Sequence, residues 1–81
     1  MMTVTVRLFA SYAESLGKHQ IVLDIIEGAT VDDVVRQIST LPGAHRLPPL
    51  PLVAVNCAYA AKGTRVFDGD EVALIPPVAG G

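Results

Sequence analysis

Few residues in this chain could do chemistry, and those with the most unusual spacing lie at its end. The last fifteen positions, residues 67–81, are FDGDEVALIPPVAGG. Gly80 and Gly81 carry no side chains, so together they can thread a slot too narrow for any other residue pair. A carboxylate on Gly81 is then a reactive group at the tip of a slender arm. Pro76 and Pro77 give the arm a stiff, extended root, and Val78 and Ala79 complete it. Such an arm can place its carboxylate in a partner's active site while the body of the domain binds outside. The alternative is a frayed end without a role, since termini are often loosely held.

Conventional catalytic groups are sparse. His19, His45 and Cys57 are the only histidines and the only cysteine. They fit no zinc or iron–sulfur spacing, and they are expected to be surface histidines and a small buried cysteine. No metal is expected. The glycines in GATV and GDE lack the clustering of a phosphate-binding loop. Asp68, Asp70 and Glu71 suggest a cation loop only superficially; without the calcium-loop pattern, a solvated hairpin turn is the simpler assignment. Pro48 and Pro51 have PxxP spacing but no flanking basic pair, which suits a rigid connector better than a recognition motif.

The bulk composition narrows the function classes. The chain has 81 residues, of which 51% are apolar and 17% charged, with a net charge of −2. One domain of this size buries only about 60% of its unfolded surface, so its stability margin is thin. No basic block points to nucleic acid or to an anionic membrane. One cysteine forms no internal disulfide. The start, MMTVTVRLF, has no basic region followed by an apolar stretch, and no run approaches the roughly 18 apolar residues of a membrane span. A cytoplasmic protein is expected.

The positioning elements follow from periodicity. TVTVRLF alternates, with Val4, Val6 and Leu8 on one face and Thr3, Thr5, Arg7 and Phe9 on the other, as in a half-buried strand. ASYAESLG predicts a short helical turn, with Ser11 and Glu14 at capping-box spacing and Gly17 as C-terminal cap. QIVLDI alternates again, with Ile21, Leu23 and Ile25 inward. The strongest helix signal is GATVDDVVRQISTL. There Thr30 caps, Asp32 and Asp33 sit in the first turn, and Val31, Val34, Val35, Ile38 and Leu41 form the apolar stripe. Pro42-Gly43 is expected to end it. After a proline-rich loop, LVAVN predicts a strand with Val53 and Val55 on one face. Asn56-Cys57 begins a turn into a short segment through Tyr59. Asp68-Gly69-Asp70 then turns into a last strand, in which Val72 and Leu74 oppose Glu71, Ala73 and Ile75, and Pro76 stops it. One amphipathic helix covering one face of a mixed sheet is an α+β roll. The other face stays open and carries Phe9 and Ile75.

On VRLFA near the start, VDDVVRQI in the helix, VAVN at residues 53–56 and above all DGDEVALIPPVAGG at residues 68–81, the chain resembles the small subunits of molybdopterin synthase. These are sulfur carriers of β-grasp fold, related to ubiquitin and to the thiazole-synthesis carrier. The resemblance spans essentially the whole length, although PGAHRLPPLPL matches no element of it.

The resemblance implies a β-grasp domain over residues 1–75, with a mixed four- to five-stranded sheet, and a flexible tail over 76–81. It implies that Gly81 is adenylated by an ATP-dependent adenylyltransferase/sulfurtransferase and converted to a thiocarboxylate, a 1-thioglycine. That group donates sulfur to cyclic pyranopterin monophosphate, forming the dithiolene of molybdopterin. The implied partner is the large synthase subunit, in a heterotetramer of two small and two large subunits, with the catalytic acids and bases on the large one. No cofactor is implied on the carrier itself, and ATP is used by the activating enzyme. Phe9, Tyr59 and Ile75 match an apolar partner surface, rimmed by Arg7 and Glu71; Tyr59 fits an ordinary edge-packing role equally well. Other acceptors remain open: thiazole synthesis, a tungsten cofactor, or lysines joined to a ubiquitin-like modifier. So does a non-catalytic interaction module whose tail is incidental.

Overall fold

A computed structural model describes residues 1–44 and 51–76; residues 45–50 and 77–81 lie outside it. The order is β1 (Met2–Leu8), α1 (Ala10–Leu16), β2 (Gln20–Ile25), α2 (Val31–Ile38), β3 (Leu52–Val55), β4 (Ala58–Tyr59) and β5 (Glu71–Ile75). The strands form one sheet in the order β2-β1-β5-β3-β4. Only β1 and β5 run parallel; the other pairs are antiparallel. This is the mixed β-grasp roll, with α1 as a second helix beside the main one.

Strand alternation decides which face is covered. Val4, Val6 and Leu8 of β1 are buried, as are Leu23 and Ile25 of β2 and Val72 and Leu74 of β5. The register sets Val4 opposite Leu23, Val6 opposite Val72, and Leu74 between Leu8 and Val53, so one sheet face is continuously apolar. Val31, Val34 and Ile38 of α2 are buried in the same core, with Val35 and Leu41 partly buried against it. β-Branched residues are weak helix formers, so this packing holds α2 more than propensity does.

The start of α2 is fully satisfied. Thr30 N donates to Asp33 Oδ2 at 2.8 Å, and Asp33 N returns a bond to Thr30 Oγ1 at 3.4 Å. Val31 N and Asp32 N donate to the carbonyls of Thr64 and Lys62 at 2.8 and 3.0 Å. The loop before β5 thus supplies acceptors for helix donors that would otherwise be orphaned.

Two local expectations differ from the structure. α2 ends at Ile38 with Ser39 as C-cap, short of Leu41. Ser39 Oγ and Thr40 Oγ1 donate to the Val35 and Gln37 carbonyls at 2.8 and 2.7 Å, offering the backbone a turn instead of a further helical residue. The Ser11–Glu14 capping box does not form. The N-cap of α1 is Phe9, in extended conformation and without a side-chain bond, because β1 runs directly into the helix. Gly17 does cap the other end, at φ 70°, donating to the Ala13 carbonyl at 2.8 Å. Gly43, at φ 89°, lets the chain cross that end closely, where a Cβ would run into the Ser15 carbonyl oxygen.

Candidate functional site

β5 is the middle strand, held by β1 on one side and β3 on the other. The chain therefore leaves the sheet at its centre. It does so where β1 runs into Phe9 and β3 begins at Leu52. Ile75, the last residue of β5, is paired with Leu52, and half-buried Pro76 follows.

The sheet face away from α2 carries the other half of each alternation. Cross-strand partners share a face. The register therefore lines up Gln20, Arg7, Ala73, Ala54 and Tyr59 in one row across all five strands. Ile75 and Leu52 stand in the next row towards the exit, and Phe9 lies two residues beyond Arg7. Ala54 and Ala73 make a low floor between Arg7 and Tyr59. Around it, Phe9 is 42%, Leu52 46% and Tyr59 77% exposed. Exposed apolar side chains in one neighbourhood, rimmed by charge, are the usual composition of a protein-binding surface.

The rim is loose. Arg7 Nη1 and Glu71 Oε2 are 3.8 Å apart with both side chains about half exposed, so solvent screening leaves this pair little energy. The Arg7 guanidinium lies 6.0 Å from the centroid of the Phe9 ring, at the outer limit of a cation–π contact. Both charges are free to re-pair with an incoming surface.

The far end of β5 is pinned. Asn56 Nδ2 donates to Asp70 Oδ1 at 2.9 Å, and Glu71 N donates to Asn56 Oδ1 at 3.0 Å. Asp70 Oδ2 accepts from Phe67 N, and Asp68 Oδ1 from Thr3 N, each at 2.8 Å. Asp68 and Asp70 thus serve as turn acceptors. No described group of three or more histidine, cysteine or acidic residues is arranged to hold a metal ion.

The structure brings Phe9 and Ile75 to the exit of the chain and places Tyr59 on the same face, one row away. It adds Leu52, which sequence reasoning passed over. The signal was there: if Val53 and Val55 face the core, Leu52 must face the other way. Cys57 is exposed, against the expectation of burial. It shares with Asn56 the two-residue turn joining β3 to β4, both at positive φ (71° and 48°), and that turn turns its side chain out of the core. His19 is exposed on the surface. His45, Pro48, Pro77, Val78, Ala79, Gly80 and Gly81 fall outside the described residues. No described helix is long and apolar enough to cross a membrane.

The profile of the ThiS family matches residues 6–81. The molybdopterin synthase sulfur carrier subunit of Chlamydomonas reinhardtii is 34% identical, over 99% of this chain and 100% of that one. Small archaeal modifier protein 1 of Haloferax volcanii is 36% identical, over 93% of this chain and 97% of that one. Its crystal structure aligns with a TM-score of 0.86 over 96% of this chain and 100% of that chain, at 30% identity. A chain from the complex of subunits 1 and 2 of molybdopterin-converting factor from Helicobacter pylori 26695 is 22% identical. It aligns with a TM-score of 0.72, over 99% of this chain and 100% of that one, a likeness of fold.

Proposed function

The chain belongs to the ThiS family, and on that premise we propose that it is the sulfur carrier subunit of a molybdopterin synthase. In this reading Gly81 carries the reacting group. Its carboxylate attacks the α-phosphate of ATP on an activating enzyme, releasing pyrophosphate and leaving a mixed anhydride with AMP. A sulfur nucleophile then displaces AMP, and the product is a C-terminal thiocarboxylate. A carboxylate is a poor electrophile, so adenylation is what makes its carbonyl open to attack; the resulting sulfur is soft and nucleophilic without any cysteine. The arm enters the large synthase subunit and donates its sulfur to cyclic pyranopterin monophosphate. The acids and bases of that step belong to the partner, which accounts for their scarcity here.

The observation that carries the reading is the exit of the chain from the central strand at Ile75, beside the exposed apolar side chains of Phe9 and Leu52. A partner seated on that face receives the arm directly. Tyr59 extends the contact, and Arg7 and Glu71 supply its polar rim. The relative from Chlamydomonas reinhardtii, matched end to end, favours the molybdopterin branch over thiazole synthesis. The test is intact mass after incubation with an adenylyltransferase/sulfurtransferase, ATP and a sulfur donor. The gain expected is the difference between one sulfur and one oxygen atom, lost when Gly81 is deleted. A protein that supports pterin sulfuration normally without Gly81 defeats the proposal.

A second reading is favoured by the likeness to small archaeal modifier protein 1. There the activated Gly81 carbonyl is transferred to a lysine amine, forming an isopeptide bond. Digestion of cell protein and a search for lysines bearing the C-terminal remnant of this chain separates the two outcomes.

A further inference from the structure

The two edges of the sheet are built differently. β4 is only two residues long, which leaves little backbone for another strand to pair with. β2 has six residues, and no described strand lies along its outer edge. It contains no proline, and no bulge interrupts its register with β1. Its backbone polarity is fixed by two bonds. Leu8 N donates to the His19 carbonyl, so odd-numbered residues here point their backbone groups at β1. Gln37 Nε2 reaches the Asp24 carbonyl at 3.0 Å, so the even-numbered ones point outward. Gln20, Val22 and Asp24 thus present donors and acceptors to the edge, around a Val22 side chain that is 63% exposed.

We propose that a second copy of this chain pairs with β2 through an antiparallel β2–β2 contact centred on Val22. A two-fold axis at Val22 sets Val22 against its own copy and Gln20 against Asp24 of the other chain. All three carry outward backbone groups, so the pairs exchange both hydrogen bonds. Continued past the ends of β2, that register sets Lys18, two residues before the strand, opposite Ile26, one residue after it, and diagonal to Asp24 of the other chain. The charges are therefore self-complementary: each copy offers one cation and one anion to the opposite pair. Lys18 has no ion-pair partner among the described residues. Asp24 Oδ1 accepts only from the neutral Thr3 hydroxyl, at 3.1 Å. Ile26, 64% exposed beyond the end of β2, gains cover from the Lys18 methylenes. The Asp24 carbonyl has a second lone pair, so the Gln37 bond survives pairing. The dimer leaves Phe9, Leu52, Tyr59 and the chain exit uncovered, so it is independent of the proposed sulfur-carrier role.

Sedimentation velocity of the full chain over a concentration series tests this. A dimer population that rises with concentration is expected. Val22→Lys puts two ammonium groups opposite each other and weakens the dimer at least about tenfold, while far-UV circular dichroism and the melting curve stay unchanged. Lys18→Asp and Asp24→Lys each weaken it, and the double exchange restores it. Tyr59→Ala leaves it as it was. A protein monomeric at the highest concentration, a dimer untouched by Val22→Lys, or one lost with Tyr59→Ala overturns the proposal. So does a double exchange no better than the single changes.

Discussion

Ile75 stands directly opposite Leu52 across the antiparallel β3–β5 pair, at the point where the chain leaves the sheet. One is the last residue of the central strand and the other the first of its neighbour, and both face away from α2. Their pairing holds the end of β5 in the sheet immediately before Pro76. An arm that must reach a partner's pocket needs such a fixed root, because a swinging root dilutes the effective concentration of its tip.

Replacing Ile75 with Asp should therefore uncouple docking from folding. On the proposed sulfur-carrier reading, a charge beside Leu52 and Phe9 is expected to weaken binding to the large synthase subunit by at least about tenfold, as for loss of an interface anchor. The melting temperature should fall only slightly, since Ile75 is not in the core. Titration calorimetry alongside a thermal melt checks both halves.

Tyr59 should behave as a surface residue in the free protein. At 77% exposure, Tyr59→Ala is expected to change stability by no more than about 0.5 kcal/mol. Carrier affinity for its partner should nevertheless drop. Unchanged affinity would assign Tyr59 to edge packing alone.

Thr30→Ala removes the hydroxyl that accepts from Asp33 N at the start of α2. A loss of about 1 kcal/mol in urea unfolding is expected, with unchanged m-value. Ile38→Ala, in the buried stripe of the same helix, should cost about 2–5 kcal/mol. In a domain with a thin stability margin, that leaves much of the chain unfolded at room temperature.

Tyr12 supplies a pH dependence. Burial raises its hydroxyl above the ordinary value of 10.0, because the folded interior penalises the phenolate. The folded state then holds its proton more tightly than the unfolded one. Its contribution to stability is complete below pH 10.0 and is lost as the pH rises through the folded value. Unfolding midpoints measured across the alkaline range should fall more steeply for the native chain than for Tyr12→Phe.

On the proposed sulfur-carrier reading, deleting Gly81, or adding one residue after it, is expected to abolish sulfur transfer without any change in the melting curve. A parallel loss of folding would move the effect from chemistry to structure.

The linear order of residues already determined the faces. A period of two in TVTVRLF and EVALI commits Val4, Val6, Val72 and Leu74 to one side and Arg7 and Ala73 to the other, whatever the strands pair with. It determined the cap at Thr30, because a hydroxyl and an aspartate three residues later each accept from one backbone donor at the helix start. It also determined the slender composition of residues 76–81. Tertiary structure alone decided the neighbours. Ladder hydrogen bonds form between backbone groups common to every residue, so nothing local states that β5 lies between β1 and β3. That placement brings Leu52 beside Ile75, aligns Arg7 with Tyr59 across four strands, and leaves β2 rather than β4 as the long open edge. It also turned Cys57 outward, through a left-handed turn whose geometry the β3–β4 pairing imposes.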